Sequence, residues 1–448
     1  MSASDESVVG ELTARRLRHR LAEAQVAGMV PSLVAGLVRD SELVWADGYG
    51  DVPGDPTDTQ YKIGSITKTM TAVLLLQLVA EDRITLETPV SEVLGEVGYA
   101  DRTLRQLLAH SGGLQAEPAG SWWERSPGAD FDALAGANDG SAAAFETGRQ
   151  FHYSNLGYGL LGEVVARLRG KPWWECVAER ILAPLGMSRT SYQAQGTHAR
   201  GWSVHPYART LIGEPLPDTG AMAPAGQVWS TIADLATYAG FLLDGHPDVL
   251  PLEGLAGAYV PQSGEENTGL GYAHGLGFQM FVGGSGTLVG HSGSMPGFHA
   301  ICLVDRRRRT GCVALTNGTA GVPVAAFAAT LLAELETWEP TLPPAWTPTA
   351  TVPDEFADTL GVWHWGATPL VLACEGADLV ARRDGVEKWR FVARKGRIIG
   401  TAGHFAGEEL RVVRRDDGSV SHLDAGTFIL TRTPYDPEAP VPGGPPSG

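Results

Sequence analysis

Gly64-Ser65-Ile66-Thr67-Lys68-Thr69-Met70-Thr71-Ala72-Val73-Leu74-Leu75-Leu76 sets a serine and a lysine three residues apart and runs on into apolar sequence. The stretch predicts a helix from about Ser65 to Glu81. At i and i+3 two side chains share one helix face, which brings the Lys68 amine within reach of the Ser65 hydroxyl. The positive end of the helix favours negative charge developing beside Ser65. A serine hydroxyl is a weak nucleophile until a neighbour takes its proton. A lysine can do so only where burial or nearby positive charge lowers its pKa. By itself S-x-x-K also reads as an N-cap serine with a solvated lysine, although the chain has only five lysines, at 62, 68, 171, 388 and 395.

Two further groups lie downstream. Tyr153-Ser154-Asn155 precedes a predicted helix, Leu156 to Leu168. A tyrosine hydroxyl can relay a proton, as phenol or as phenolate where cations hold its pKa down, and an asparagine can hold both a lysine amine and a substrate amide. Serine and asparagine before a helix also serve as caps. His291-Ser292-Gly293-Ser294 follows a predicted strand at Leu288 to Val289, with glycine leaving room for a substrate along the strand edge. A decoy sits between them: Gly157-Tyr158-Gly159-Leu160-Leu161-Gly162 matches G-x-G-x-x-G, but no strand of a βαβ unit precedes it, and helix packing explains the glycines better.

In this order the three groups resemble the serine β-lactamase, penicillin-binding-protein and esterase superfamily, and Leu107-Leu108-Ala109-His110-Ser111-Gly112-Gly113-Leu114 is similar to that family's L-L-x-H-x-S-G-L block. The likeness runs from about Val30 to Leu335. It implies an α/β fold, an antiparallel sheet flanked by helices and packed on an all-helical region. It implies Ser65 as acylated nucleophile, Lys68 and Tyr153 sharing proton transfer, and His291 tuning Tyr153. Asn155 would position Lys68 and substrate, and backbone N–H groups of Ser65 and Ser294 would form the oxyanion hole. One departure counts against β-lactam turnover. Class C β-lactamases carry K-T-G where this chain has His291-Ser292-Gly293, and a histidine is mostly neutral near pH 7 where a lysine is a fixed cation.

Outward from these motifs, Leu33 to Val38 and Leu43 to Trp45 predict a hairpin after an amphipathic N-terminal helix, and Ser230 reads as the N-cap of a helix over Ile232 to Leu243. Ala300 to Val304 and Cys312 to Leu315 read as strands, Ala325 to Leu335 as a helix. Strands at both ends of a mostly helical middle imply one sheet completed by returning chain. Arg306 to Arg309 fall where a hairpin turn would. Prolines at 340, 343, 344, 348 and 353 mark a stiff linker, which sets domain boundaries at 1–338, 339–353, 354–436 and a loose tail at 437–448. In the third of these segments, short strands at Pro369 to Ala373, Leu379 to Arg382, Trp389 to Ala393, Leu410 to Val413 and Thr427 to Thr431 predict a small antiparallel barrel, with Asp416-Asp417-Gly418 as a tight turn.

Composition excludes several classes. With 448 residues and a net charge of -17, the chain repels nucleic-acid phosphates and anionic lipid headgroups, so neither is an expected partner. Cys176, Cys302, Cys312 and Cys374 include no C-x-x-C pair and read as reduced thiols; no cofactor or metal motif is present. No secretory signal is visible near Met1, and a cytoplasmic location is expected.

At a finer level the appended barrel and the block Thr431-Arg432-Thr433-Pro434-Tyr435-Asp436-Pro437 resemble the stand-alone penicillin-binding-protein-type thioesterases, the surugamide cyclase group, which pair the serine domain with a lipocalin-like domain. That resemblance implies a peptidyl thioester on a peptidyl carrier protein as substrate. It implies release as a head-to-tail macrolactam, a D-configured residue at the acylating end, and Arg432 as a substrate-binding residue. Two alternatives stand beside it: a cytoplasmic serine esterase or D-stereospecific peptidase with the same residues, and a non-catalytic binding protein on the same scaffold.

Overall fold

The computed structural model describes residues 9–264, 271–283, 286–343 and 345–436. Met1 to Val8 and the tail expected at 437–448 lie outside them. The chain divides into two units, Met1–Thr341 and Leu342–Gly448.

The first unit is built on an eight-stranded antiparallel sheet. Helix α1 (Glu11–Gly28) leads into the hairpin β1 (Ser32–Arg39) and β2 (Glu42–Gly50). Most of the sheet returns late in the chain as β3 (Ser263–Gly264), β4 (Tyr272–His274), β5 (Gln279–Val282), β6 (Thr287–Met295), β7 (Phe298–Asp305) and β8 (Thr310–Thr316). The order is β2-β1-β8-β7-β6-β5-β4-β3, with Leu37 opposite Cys312 and His291 opposite Cys302. The central strands β1, β7 and β8 are buried on both faces, which is why they read as continuous apolar runs. Helices α1 and α5 (Val324–Trp338) cover one face through Leu17, Leu21, Phe327 and Leu331. The basic turn between β7 and β8 is held by acids: Arg309 bonds Asp40 at 2.6 Å and Asp244 at 2.8 Å, and Arg308 pairs with Glu336.

Between β2 and β3 the chain forms the helical region. At its centre is α2 (Thr67–Ala80), buried at twelve of its fourteen positions and therefore enclosed all round rather than along one stripe. Its hydroxyls are satisfied inside: Thr69 Oγ1 donates to Ile66 O and meets the Tyr238 hydroxyl at 2.8 Å, and Thr71 Oγ1 donates to Pro224 O. Beside it runs α3 (Asn155–Arg169), closed by Gly170 at φ 68. A Cβ at Gly162 would lie 2.0 Å from Pro224 Cγ and one at Gly159 3.1 Å from Met222 Sδ, so the last two glycines of G-x-G-x-x-G serve close packing, while Gly157 meets only ordinary contacts. Helix α4 (Ile232–Asp244) packs on the sheet, and its cap corrects the expectation by one residue: Thr231, not Ser230, accepts from Asp234 N, and Ser230 lies in a short strand.

The second unit is a closed barrel of eight antiparallel strands in sequence order: β9 (Gly361–Trp365), β10 (Thr368–Glu375), β11 (Asp378–Arg383), β12 (Val386–Arg394), β13 (Arg397–Ala402), β14 (Glu409–Arg414), β15 (Val420–Ala425) and β16 (Phe428–Thr431). Trp363, Phe391, Phe405 and Leu423 fill its interior. Among the described residues no helix is long and apolar enough to cross a membrane.

Candidate active site

Ser65 sits on a single tight turn, Gly64–Ile66, immediately before α2. Gly64 holds φ +52, and a Cβ there would lie 2.5 Å from Ser294 N; a Cβ at Gly293 would lie 1.9 Å from Ile63 O. Both positions need glycine because β6 lies directly against the serine turn. This corrects two expectations. The His291-Ser292-Gly293-Ser294 group is inside β6 rather than after a strand, and the space freed at Gly293 is filled by the Ile63 carbonyl, not by an incoming ligand.

One turn into α2, Lys68 is fully buried. Its Nζ lies 2.9 Å from Ser65 Oγ, 2.6 Å from Asn155 Oδ1 and 2.7 Å from Ala225 O. Burial drives its pKa down from 10.5 to about 7, opposed by the negative charges of Glu117 and Glu124. The contacts then have a clear division of labour. A neutral amine has two N–H groups and one lone pair. Asn155 Oδ1 and Ala225 O can only accept, so they take the N–H groups, and the lone pair is left for the Ser65 hydroxyl to donate to.

Asn155 is the first residue of α3, and Ser154 before it is the cap, its Oγ accepting from Gly157 N at 3.1 Å. The capping reading and the site reading of Tyr153-Ser154-Asn155 are thus both true, of different residues. Asn155 Nδ2 donates to both oxygens of Glu117, at 2.8 and 3.0 Å, and Trp123 Nε1 donates to Glu117 Oε2 at 2.7 Å.

Tyr153 hydrogen-bonds Ser65 through its hydroxyl, and burial pushes the phenol well above its ordinary value. It is a phenol at neutral pH, which decides between the two forms allowed from sequence. Its ring lies 5.0 Å from Lys68 Nζ and rests on His110, with centroids 4.2 Å apart at 29°. His110, His274 and His291 form a buried chain, with centroids 4.6 Å apart for the first pair and 5.6 Å for the second; each Nε2 is buried and has no hydrogen-bond partner among the described residues. Desolvation holds all three below the ordinary histidine pKa, His274 at about 4. His291 lies 6.3 Å from Tyr153, ring to ring.

An open cleft of about 810 Å³ reaches Ser65, Tyr153, His291 and Ser294, with Phe151, Tyr272 and Phe281 among its apolar lining. No lysine or arginine is among the described lining residues. Six of the seven residues singled out from sequence therefore gather here. Arg432 belongs to the second unit, one residue past the end of β16 rather than within it. There its guanidinium donates to Leu360 O (2.9 Å), Val362 O (3.2 Å) and Asp358 O (3.0 Å) and stacks over Trp363. Sequence reading missed Glu117, Glu124 and His274. Only Glu117 had a signal, three residues beyond the L-L-x-H-x-S-G-L block. Among the described residues, no group of histidine, cysteine and carboxylate side chains is arranged to hold a metal ion.

The family described as Beta-lactamase matches residues 14–337, and a domain of unknown function (DUF7586) matches 352–432. Beta-lactamase-like protein 2 of Dictyostelium discoideum is 30% identical over 263 residues, 52% of this chain and 46% of that protein. Protein flp of Staphylococcus aureus is 24% identical over 309 residues, 65% of this chain and 60% of that protein. The chain thus spans about half of the length of the first of these relatives. A D-stereospecific amidohydrolase from Streptomyces sp. superposes with a TM-score of 0.60 at 26% identity, covering 73% of this chain and 99% of that one. Two structures match nearly the whole chain at 22% identity and share its fold: the octameric penicillin-binding protein homologue from Pyrococcus abyssi (TM-score 0.65, 93% of this chain and 99% of that one) and SurE (TM-score 0.59, 94% and 99%).

Proposed function

The chain belongs to the beta-lactamase family, and from that membership we propose that it is a serine acyltransferase releasing a peptide from a carrier-protein thioester as a head-to-tail macrolactam. Membership makes it a serine hydrolase-type enzyme of that fold; the acyl donor and acceptor are the proposal. The observation that carries it is the Lys68 amine 2.9 Å from Ser65 Oγ, with acceptors occupying its other two contacts.

The reaction follows from that arrangement. Lys68 takes the Ser65 proton as Oγ attacks the thioester carbonyl, and the backbone N–H groups of Ser65 and Ser294 receive the oxyanion. Collapse breaks the C–S bond, and the thiolate leaves with a proton passed through the Tyr153 hydroxyl from the Lys68 ammonium. The peptide's own amine then attacks acyl-Ser65. Its proton returns through the same pair to Ser65 Oγ, which departs as the amide forms. Holding both ends of a flexible peptide together offsets loop-closure entropy, and this separates a cyclase from a hydrolase. A cleft with no lysine or arginine among its described lining residues to pair a β-lactam carboxylate supports a thioester over a β-lactam as donor, and the whole-chain likeness to SurE supports the two-unit reading.

The test is intact-protein mass spectrometry with a peptidyl thioester bearing a D-residue at its acylating end. An adduct on the wild type, none on Ser65→Ala, and cyclic product are expected. A linear product only would favour the second reading, supported by the D-stereospecific amidohydrolase at 26% identity, in which water is the acceptor. No adduct and no product would leave a binding protein.

A further inference from the structure

We propose that Glu117 is a positioning residue that fixes which end of the Asn155 amide faces Lys68, and so keeps the lysine lone pair free for Ser65. The inference rests on the acyl-Ser65 reading above but not on the fate of the acyl group.

A side-chain amide is nearly symmetric in shape and opposite in chemistry at its two ends, so something must choose its orientation. Asn155 N donates to Ala116 O, which anchors its backbone but says nothing about its side chain. The choice is made by Glu117. A carboxylate has no hydrogen to give, so the Asn155 end facing it must be Nδ2, and both Glu117 oxygens accept from that group at 2.8 and 3.0 Å. Oδ1 is thereby turned to Lys68 Nζ at 2.6 Å. Were the amide reversed, Nδ2 would donate into the lysine lone pair, the one feature through which Lys68 can take the Ser65 proton. Glu117, Asn155, Lys68 and Ser65 form one directed chain from an exposed carboxylate to the nucleophile.

Trp123 makes the device sensitive to a single substitution. Indole N–H is a donor only and already bonds Glu117 Oε2 at 2.7 Å. A glutamine in place of Glu117 would present its oxygen to Trp123 and its NH2 to Asn155, which rewards the reversed amide. Loss of the carboxylate also removes a negative charge that favours the lysine ammonium. The other charged or titratable groups around Lys68 are Glu124, Tyr153, Tyr158, His110, His274 and His291. Glu124 acts on Lys68 through space alone, and its carboxylate bonds Trp122 rather than Asn155. It is therefore the control for charge without orientation.

The experiment measures the single-turnover rate at which an N-acetylated D-phenylalanyl thioester acylates the full-length protein, across pH, for wild type, Glu117→Gln and Glu124→Gln. The blocked amine removes any dependence on cyclisation. Glu117→Gln is expected to lower the pH-independent rate on the order of tenfold, with the thioester concentration for half-maximal rate unchanged, and to move the acid limb to lower pH. Glu124→Gln is expected to move the limb the same way and keep the plateau. A Glu117→Gln plateau within about twofold of wild type, or an equal plateau loss in both variants, overturns the inference. Absence of any wild-type adduct would instead overturn the acyl-Ser65 reading. Equal thermal midpoints, expected for an exposed carboxylate, separate a rate effect from misfolding.

Discussion

The imidazole of His110 lies flat against the ring of Tyr153, centroids 4.2 Å apart, while its Nδ1 accepts from Ser154 N at 3.0 Å. The tyrosine that contacts the nucleophile is thus braced by a residue fixed to the cap of the next helix. His274 and His291 continue the layer, and desolvation keeps all three uncharged near neutral pH. A charged imidazole there would oppose protonation of Lys68, and a neutral one does not.

On the proposed acyl-Ser65 reaction, the acid limb of acylation belongs to Lys68. The rate should be full above about pH 7 and fall as pH drops through that value, because the base must be a free amine. His291→Gln should lower the plateau on the order of tenfold and leave the limb in place. Burst kinetics against pH checks both. Loss of the limb in the variant would assign it to His291.

Lys68 also leaves a signature in stability. Its pKa falls from 10.5 in the unfolded chain to about 7 in the fold. Between those values the unfolded state binds the extra proton, and stability rises with pH by about 1.4 kcal/mol per unit. Lys68→Met cannot titrate. Relative to wild type it should look best near pH 7 and lose ground toward pH 10, with a constant offset for the unpaired Asn155 Oδ1 and Ala225 O. Denaturant melts of both proteins at several pH values measure this, and a difference that does not vary with pH would mean Lys68 is charged in the fold.

The seam between the serine turn and β6 gives a steric prediction. A methyl at Gly293 would sit 1.9 Å from Ile63 O, against backbone that has no rotamer to change. Gly293→Ala should therefore push the strand off the turn, cost about 1–3 kcal/mol and reduce acylation roughly hundredfold. The second unit should keep its own unfolding transition. Wild-type acylation in this variant would show that Ser294 need not lie against Ser65.

How much of this could be read from sequence depends on which signal each residue carries. The serine, lysine, tyrosine and asparagine stood in the order and surroundings of their family, and α2 declared itself through an unbroken apolar run. Strands buried on both faces, such as β7 and β8, were legible for the same reason. Three barrel strands, β9, β13 and β15, were not, because Gly361, Gly400 and His422 interrupt the apolar runs. The full extent of β6 was hidden by Gly290 and Gly293, which look like loop residues and are there because neighbouring backbone passes close by. Glu117 and His274 act through contacts that only the assembled helices and sheet create: nearness to the L-L-x-H-x-S-G-L block is the one signal Glu117 carries, and no local pattern marks His274.

Arg432 carries the sharpest contrast between sequence and structure. The resemblance to the cyclase group implied a substrate-binding role for it. In the fold its guanidinium already bonds three backbone carbonyls, of Asp358, Leu360 and Val362, and lies 3.8 Å from the centre of the Trp363 ring. These carbonyls belong to the segment that starts the barrel, and Arg432 follows the strand that ends it, so the side chain ties the two ends of the closed sheet together. The seam needs it, because β9 and β16 share a single pair of opposed residues, His364 and Thr431. A planar fork with several donors can bridge carbonyls on alternate residues; a lysine ammonium lacks the span and the stacking face. Arg432→Ala and Arg432→Lys should both lower the unfolding midpoint of the second unit, followed by tryptophan fluorescence, the alanine through a loss of about 1–2 kcal/mol of stability. At temperatures where the variant remains folded, the ratio of cyclic to linear product should match wild type. A shift toward linear peptide with an unmoved midpoint would instead give the guanidinium to the substrate, since a clamp that holds only the barrel cannot alter the product without altering the melt.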